Sequence, residues 1–178
     1  HMLVKAMCGD ESAVFLVEQD CPGVRWEETW KDALSFRASD SHDVFFENCQ
    51  IPKENLVQPH PDPPFVKSPW FPMMLAAVYL GSAIAARNTV IQYALERVPT
   101  ALGKPIATLP KIQRLIGEID MPLQAAKCLL LDAADTWNNN IASVATAKHF
   151  AVTVANEVTD KALLIAGGRA LTSSLPLE

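Results

Sequence analysis

No two of the four cysteines stand close in the chain: Cys8, Cys21, Cys49 and Cys128 contain no Cys-x-x-Cys spacing. So sparse a set excludes a disulfide framework and a cysteine-based zinc module, and reads as reduced thiols in a cytoplasmic protein. Charge of one sign is not concentrated anywhere either. The net charge is −5, with acids and bases interspersed, so there is no basic patch to meet the phosphates of a nucleic acid. A basic amphipathic stretch that would lie on a membrane is missing as well. The most apolar run, Phe71 to Ala86, holds Pro72 near its start and ends at Arg87. It is shorter than a bilayer requires and reads as a buried helix. There is no signal-peptide pattern, and His1-Met2 reads as a remnant of tag removal outside the fold. A phosphate loop, a dinucleotide glycine fingerprint and a nucleophile elbow are all absent.

What is present is material for a core: 49% of the 178 residues are hydrophobic and 20% charged, the balance of a folded domain, or of one domain and part of another. Residues 3–57 read as β. Ala13 to Val17 is a short apolar run followed by the turn signal Asp20-Cys21-Pro22-Gly23. Ser35 to Ile51 alternates, with Val44, Phe46 and Cys49 around Asp43, Phe45 and Glu47. That pattern predicts a strand buried on parts of both faces. Three or four strands fit this length.

Residues 58–67 form a proline-rich linker, because prolines lack the N–H that ladders and helices need. Residues 68–178 then read as helices. Ser68-Pro69 supplies an N-cap and a proline at N1. The first helix extends to about Val98, with small residues such as Gly81 and Ala85 on nearly every face, which predicts a central position. The second begins near Pro110, with Ile112, Ile116, Ile119 and Leu130 in one stripe and Pro122 inside it. The third covers Ile141 to Ala166 and stops at Gly167. The expected fold is α+β: a small β-barrel fragment followed by an antiparallel helical bundle one helix short of four.

Residue chemistry alone nominates few sites. Ser39-Asp40-Ser41-His42-Asp43 has the letters of a hydrolase triad, but neighbours along a strand point apart, so these read as polar turn residues. Glu118 and Asp120 face different directions on a helix and are no carboxylate pair. His149 reads as a packed or hydrogen-bonded structural histidine. The tryptophans, Trp26, Trp30, Trp70 and Trp137, read as core or interface anchors.

A resemblance goes further. The segment from Phe36-Arg37-Ala38-Ser39 through Glu47 to Ile51-Pro52 is similar to the acyl-CoA dehydrogenase pattern of Arg-Ala-Ser/Thr, a strand, and an acid before the exit from the middle β domain. Phe15-Leu16-Val17-Glu18 with Pro22-Gly23-Val24 matches the preceding strand and turn. Leu80-Gly81-Ser82-Ala83, Tyr93-Ala94-Leu95-Glu96-Arg97, Gly103-Lys104-Pro105-Ile106, Ile112-Gln113 and Ile165-Ala166-Gly167-Gly168 follow in the family's order.

The resemblance implies FAD in a cleft between β domain and helices, with the bundle of a second subunit touching the cofactor. It implies a homodimer or tetramer formed through the bundle, and an acyl-CoA or other small organic substrate. Arg97 corresponds to the arginine that reaches the FAD pyrophosphate of the neighbouring subunit, a task suited to a forked guanidinium. The alternative is a helix-end arginine that satisfies terminal carbonyls. Gly167 and Gly168 correspond to the glycine pair where backbone approaches the cofactor, which is compatible with simply ending the helix.

Departures from the family pattern are specific. Pro110 and Leu164 stand where the family has glutamines, and Pro69 and Pro72 stand where common members address the thioester. The usual place of the catalytic glutamate lies beyond Glu178, and Phe71 occupies the alternative position, so no catalytic residue is assigned. The family's N-terminal helical domain and the strands around the flavin ring have no counterpart here. The chain is therefore expected to be part of such an enzyme, inactive by itself and binding FAD weakly. Three readings follow: α,β-dehydrogenation of an acyl thioester, a flavin-dependent monooxygenase of the same fold, or a non-catalytic oligomerisation module.

Overall fold

The computed structural model describes residues 1–33, 37–59, 69–137 and 140–177. Contacts divide the chain into two compact units, His1–Lys67 and Ser68–Glu178.

In the first unit, β1 (Met2–Cys8) and β2 (Glu11–Val17) form an antiparallel hairpin, paired from Met2 opposite Val17 to Cys8 opposite Glu11. Gly9, with φ 66°, takes the left-handed position that so tight a turn needs. Met2, expected outside the fold, is thus the first paired residue. β5 (Leu56–Pro59) adds to the other side of β2 with a bulge between Val14 and Phe15. It uses the first two residues of the expected linker, where a proline at a strand end loses no ladder bond. Residues 60–67 of that linker lie outside the described residues.

A separate two-stranded ribbon pairs β3 (Val24–Glu27) with β4 (Asp43–Phe46). Among the described residues five strands therefore stand where three or four were expected. The long strand expected from Ser35 to Ile51 is only four residues, stopped on its C-terminal side by Asn48 at φ 54°. Its faces are not buried: Phe45 is 38% and Phe46 41% exposed, since among the described residues no layer covers this ribbon. Phe45 is covered in part by the Arg25 guanidinium, 4.1 Å from its ring centre. Three strands in one sheet and two in another form no closed barrel among the described residues.

The second unit holds α1 (Trp70–Glu96), α2 (Pro110–Thr136) and α3 (Ile141–Ala166), each packed on the other two. Ser68, the expected N-cap, lies outside the described residues; Pro69 occupies the cap and Pro72 the first turn, where a missing N–H costs nothing. Arg87 donates to Asp120 Oδ1 from Nε at 2.9 Å and from Nη2 at 2.7 Å. The chain at the end of α1 also meets the approach to α2, where Ile106 N–H donates to the Arg97 carbonyl at 2.9 Å. Contacts thus move back along α1 as they move forward along α2, and these helices run antiparallel.

The core seam on α1 advances by three or four residues, through Met73, Ala76, Leu80, Ala83, Ala86, Val90 and Ala94. Gly81 and Ala85, expected inside, fall off that seam and are exposed. α1 is therefore one-sided, with small residues on its outer face. Its length and apolarity alone would let it cross a membrane, contrary to the reading of Phe71 to Ala86 as too short. The helix simply continues ten residues past that run. In this fold its seam packs on α2 and α3. On α2, Ile112 and Ile119 are buried while Ile116 and Leu130 are half-buried against the core. α3 ends as the sequence predicts: Gly167 takes φ 58° and its N–H donates to the Leu163 carbonyl.

Candidate anion-binding site

Arg97 is the C-cap of α1, where the chain leaves the helix in an extended conformation with φ −74° and ψ 108°. Its N–H donates to the Tyr93 carbonyl at 2.9 Å, and its own carbonyl accepts from Ile106 N–H at 2.9 Å. The residues between them fold back compactly, Leu102 and Gly103 both donating to the Pro99 carbonyl. The loop after Arg97 is therefore an ordered turn that anchors the Arg97 backbone from both sides.

At the end of α3, Gly167 and Gly168 open a short helical turn, Gly167–Leu171, that carries Arg169. Thr172 fixes this turn by donating to the Arg169 carbonyl from N–H at 3.2 Å and from Oγ1 at 2.9 Å. A Cβ built on either glycine meets nothing within 4 Å, so this backbone is open to a ligand.

The two helix ends meet at a cavity of about 250 Å³ lined by Tyr93, Glu96, Arg97, Arg169, Ser174 and Leu175. Both arginines are exposed, and among the described residues neither guanidinium has an ion-pair partner. Nor does Arg97 hydrogen-bond a helix-end carbonyl there, which was the alternative reading of that side chain. Glu96 is the one acid in the lining, and Gln92 Nε2 donates to its carboxylate. Two guanidiniums against one carboxylate leave a net positive cavity, suited to a phosphate-type anion that can accept bidentate bonds. Arg169 was not singled out in the sequence. Its signal was a basic residue immediately after a glycine pair that ends a helix, and only the fold brings it to Arg97.

The other nominated residues are structural. His42 Nδ1 accepts from the Trp30 N–H at 3.1 Å, its Nε2 lies 3.9 Å from Asp40, and Ser39 Oγ bonds Ser41 Oγ at 2.9 Å. These contacts make a polar turn and no triad. Glu118 lies 3.6 Å from Arg114 while Asp120 takes Arg87, so the two acids work separately. His149 is exposed on α3, which corrects its reading as a packed residue. Trp70 and Trp137 stack obliquely with ring centres 6.3 Å apart, whereas Trp26 is exposed. Leu164 is 70% exposed, and Pro110 is the first residue of α2. Among the described residues no cluster of His, Cys, Asp and Glu could hold a metal.

A family model for the acyl-CoA dehydrogenase C-terminal domain matches residues 72–178. The chain belongs to the acyl-CoA dehydrogenase family. It is 32% identical over its full length to YdbM of Bacillus subtilis, described as an acyl-CoA dehydrogenase, and covers 49% of that protein. It is 31% identical to the mitochondrial short-chain specific acyl-CoA dehydrogenase of Mus musculus, over 93% of this chain and 41% of the relative. The chain thus spans about half the length, or less, of these curated relatives. Dibenzothiophene monooxygenase (TdsC) from Paenibacillus superposes with a TM-score of 0.79 at 23% identity, covering 96% of this chain and 51% of that one. That likeness is one of fold.

Proposed function

We propose that this chain serves as the end of the middle β domain and the C-terminal helical bundle of an FAD-dependent oxidoreductase that dehydrogenates an acyl thioester. The observation that carries the reading is the meeting of Arg97 and Arg169 at one cavity beside the open backbone of Gly167 and Gly168. Those residues fit the pyrophosphate end of FAD: two guanidiniums fork onto its oxygens and the uncovered backbone admits close approach. When bound, FAD supplies the acceptor for a hydride from the substrate's β-carbon. This chain's residues hold and orient; no side chain in it is assigned the removal of the α-proton.

The monooxygenase reading of the same fold draws on Pro69 and Pro72, which can offer a thioester neither charge nor a side-chain hydrogen bond. Anaerobic flavin absorbance separates the two readings. In a polypeptide of the relatives' length that carries this segment, a saturated acyl-CoA should bleach the bound flavin without any other reductant. Bleaching that requires a nicotinamide reductant and is followed by oxygen uptake would establish the monooxygenase. The chain as it stands should purify colourless. Two or three charge-assisted bonds contribute about 1.5–3 kcal/mol each. Against the cost of immobilising a large ligand, they reach only about millimolar affinity.

The proposal includes self-association, as a dimer or tetramer, in a cytoplasmic protein without nucleic-acid or membrane partners. Met74, Val78 and Ile84 on α1 and Met121, Leu129 and Leu131 on α2 are exposed in the single chain, more apolar surface than a solitary bundle needs to show. Light scattering should report a dimer or tetramer, and a monomer at high protein concentration would contradict this part of the reading.

A further inference from the structure

Cys21 and Cys49 are 28 residues apart in the chain, yet their sulfurs lie 2.8 Å from one another. The backbone accounts for this meeting. The β3–β4 register sets Val24 opposite Phe46, so the residues just outside the ribbon, 21–23 and 47–49, run side by side. Glu47 N–H donates to the Gly23 carbonyl at 2.8 Å. Gly23, at φ 90°, has no room for a side chain: a Cβ there would lie 2.3 Å from the Glu47 carbonyl oxygen and 3.1 Å from the Cys49 nitrogen. Cys21 is held in its turn by its own N–H to Glu18 and by Val24 N–H to its carbonyl. Asn48, at φ 54°, turns the chain just before Cys49.

Both thiols are half-buried, and Cys21 lines a cavity of about 300 Å³ with Pro22, Gln50 and Ile51, through which a small oxidant can reach it. Cys8 and Cys128 are exposed. A shared metal does not explain the pair, because among the described residues no third ligand stands with it. The sulfurs need only close from 2.8 Å to the bond length of about 2.05 Å.

We propose that Cys21 and Cys49 form a redox-active dithiol that closes to an intramolecular disulfide when hydrogen peroxide oxidises it. One thiolate attacks a peroxide oxygen: an S–O bond forms, the O–O bond breaks, and water leaves after protonation. The second thiol then attacks the sulfenic sulfur: the S–S bond forms, the S–O bond breaks, and a second water leaves. Two thiols and one peroxide give one disulfide and two waters, the sulfurs losing the two electrons that peroxide gains. Contact with the Cys49 thiol, then desolvation, then the charges of Cys49, Glu18 and Asp20, push the Cys21 thiol up to about 11. Little Cys21 thiolate exists at neutral pH, so attack by that sulfur is slow there and accelerates as pH rises.

The closed bond would tie the β2–β3 turn to the segment after β4. The test treats the full chain with stoichiometric hydrogen peroxide, blocks remaining thiols with iodoacetamide, and maps tryptic peptides without reduction. The expected product joins the peptide from Ala6 to Arg25 to that from Ala38 to Lys53, lighter by two hydrogens and separated again by dithiothreitol. The link should persist in Cys8→Ser, which removes the other cysteine of the first peptide, and vanish in Cys21→Ser and in Cys49→Ser. Cys21 and Cys49 recovered as alkylated thiols while Cys8 and Cys128 oxidise would overturn the proposal, as would a link that Cys8→Ser abolishes. In the unsubstituted chain, fragmentation of the linked peptide that places the iodoacetamide adduct on Cys8 decides the question even where a variant fails to fold.

Discussion

Replacing Ile119 by alanine should destabilise the helical unit by about 2–5 kcal/mol, the range for emptying a large buried aliphatic site. Ile119 is fully buried at the middle of α2, in a core cluster that draws residues from all three helices. Much of that cluster is alanine: Ala76, Ala83, Ala86 and Ala94 from α1, Ala151, Ala155 and Ala162 from α3. Alanine has no rotamers with which to fill a void, so these residues cannot close the site, and the loss should fall in the upper half of the range. Each kcal/mol lowers the melting temperature by about 4–8 °C in a domain of this class. Urea unfolding followed by helical circular dichroism measures it directly; a change within error would mean that the helices are not packed about Ile119. Gly81→Ala is the natural control. A Cβ at Gly81 meets nothing within 4 Å and the residue sits mid-helix on the outer face, so this change should stabilise by about 0.5–1 kcal/mol.

That control also marks where the sequence ceased to be legible. Helix ends were readable because local chemistry sets them: Pro110 starts α2, and Gly167 stops α3 in a conformation glycine adopts freely. The α2 stripe was readable because its apolar residues alternate with charged ones. α1 was not, since alanine and glycine lie all around it and the pattern carries no sign of which side faces inward. The seam there is decided by α2 and α3. In the β unit, alternation around Val44 was real, but burial depends on a second layer that a strand cannot announce. Met2 shows the converse, a residue discounted as foreign that pairs because β2 offers it a partner at Val17.

The candidate site was half legible. Arg97, Gly167 and Gly168 came from a resemblance that the family match to residues 72–178 bears out at the level of the family. Arg169 came only from the fold, because the connection between the ends of α1 and α3 is tertiary. The same holds for Cys21 and Cys49, whose separation along the chain argued against any pairing.

The second large effect concerns the anion cavity. If Arg97 and Arg169 form one site, Arg97→Ala should weaken anion binding by about tenfold or more, the value of one charge-assisted bidentate contact. Removing both guanidiniums should abolish it, because Glu96 would then leave the cavity net negative. The α1 and α3 cores should not notice, since both arginines are exposed.

The most direct measurement is an amide-resolved NMR titration of the ¹⁵N-labelled chain with inorganic pyrophosphate, and then with FAD, at constant ionic strength. Weak binding does not defeat it. Saturable shifts should centre on Arg97 and on Gly167, Gly168 and Arg169, with both ligands marking the same amides, and should vanish in the R97A/R169A variant while its helical content stays unchanged. Shifts confined to other surfaces, or shifts at these amides that persist in the double variant, would contradict the account.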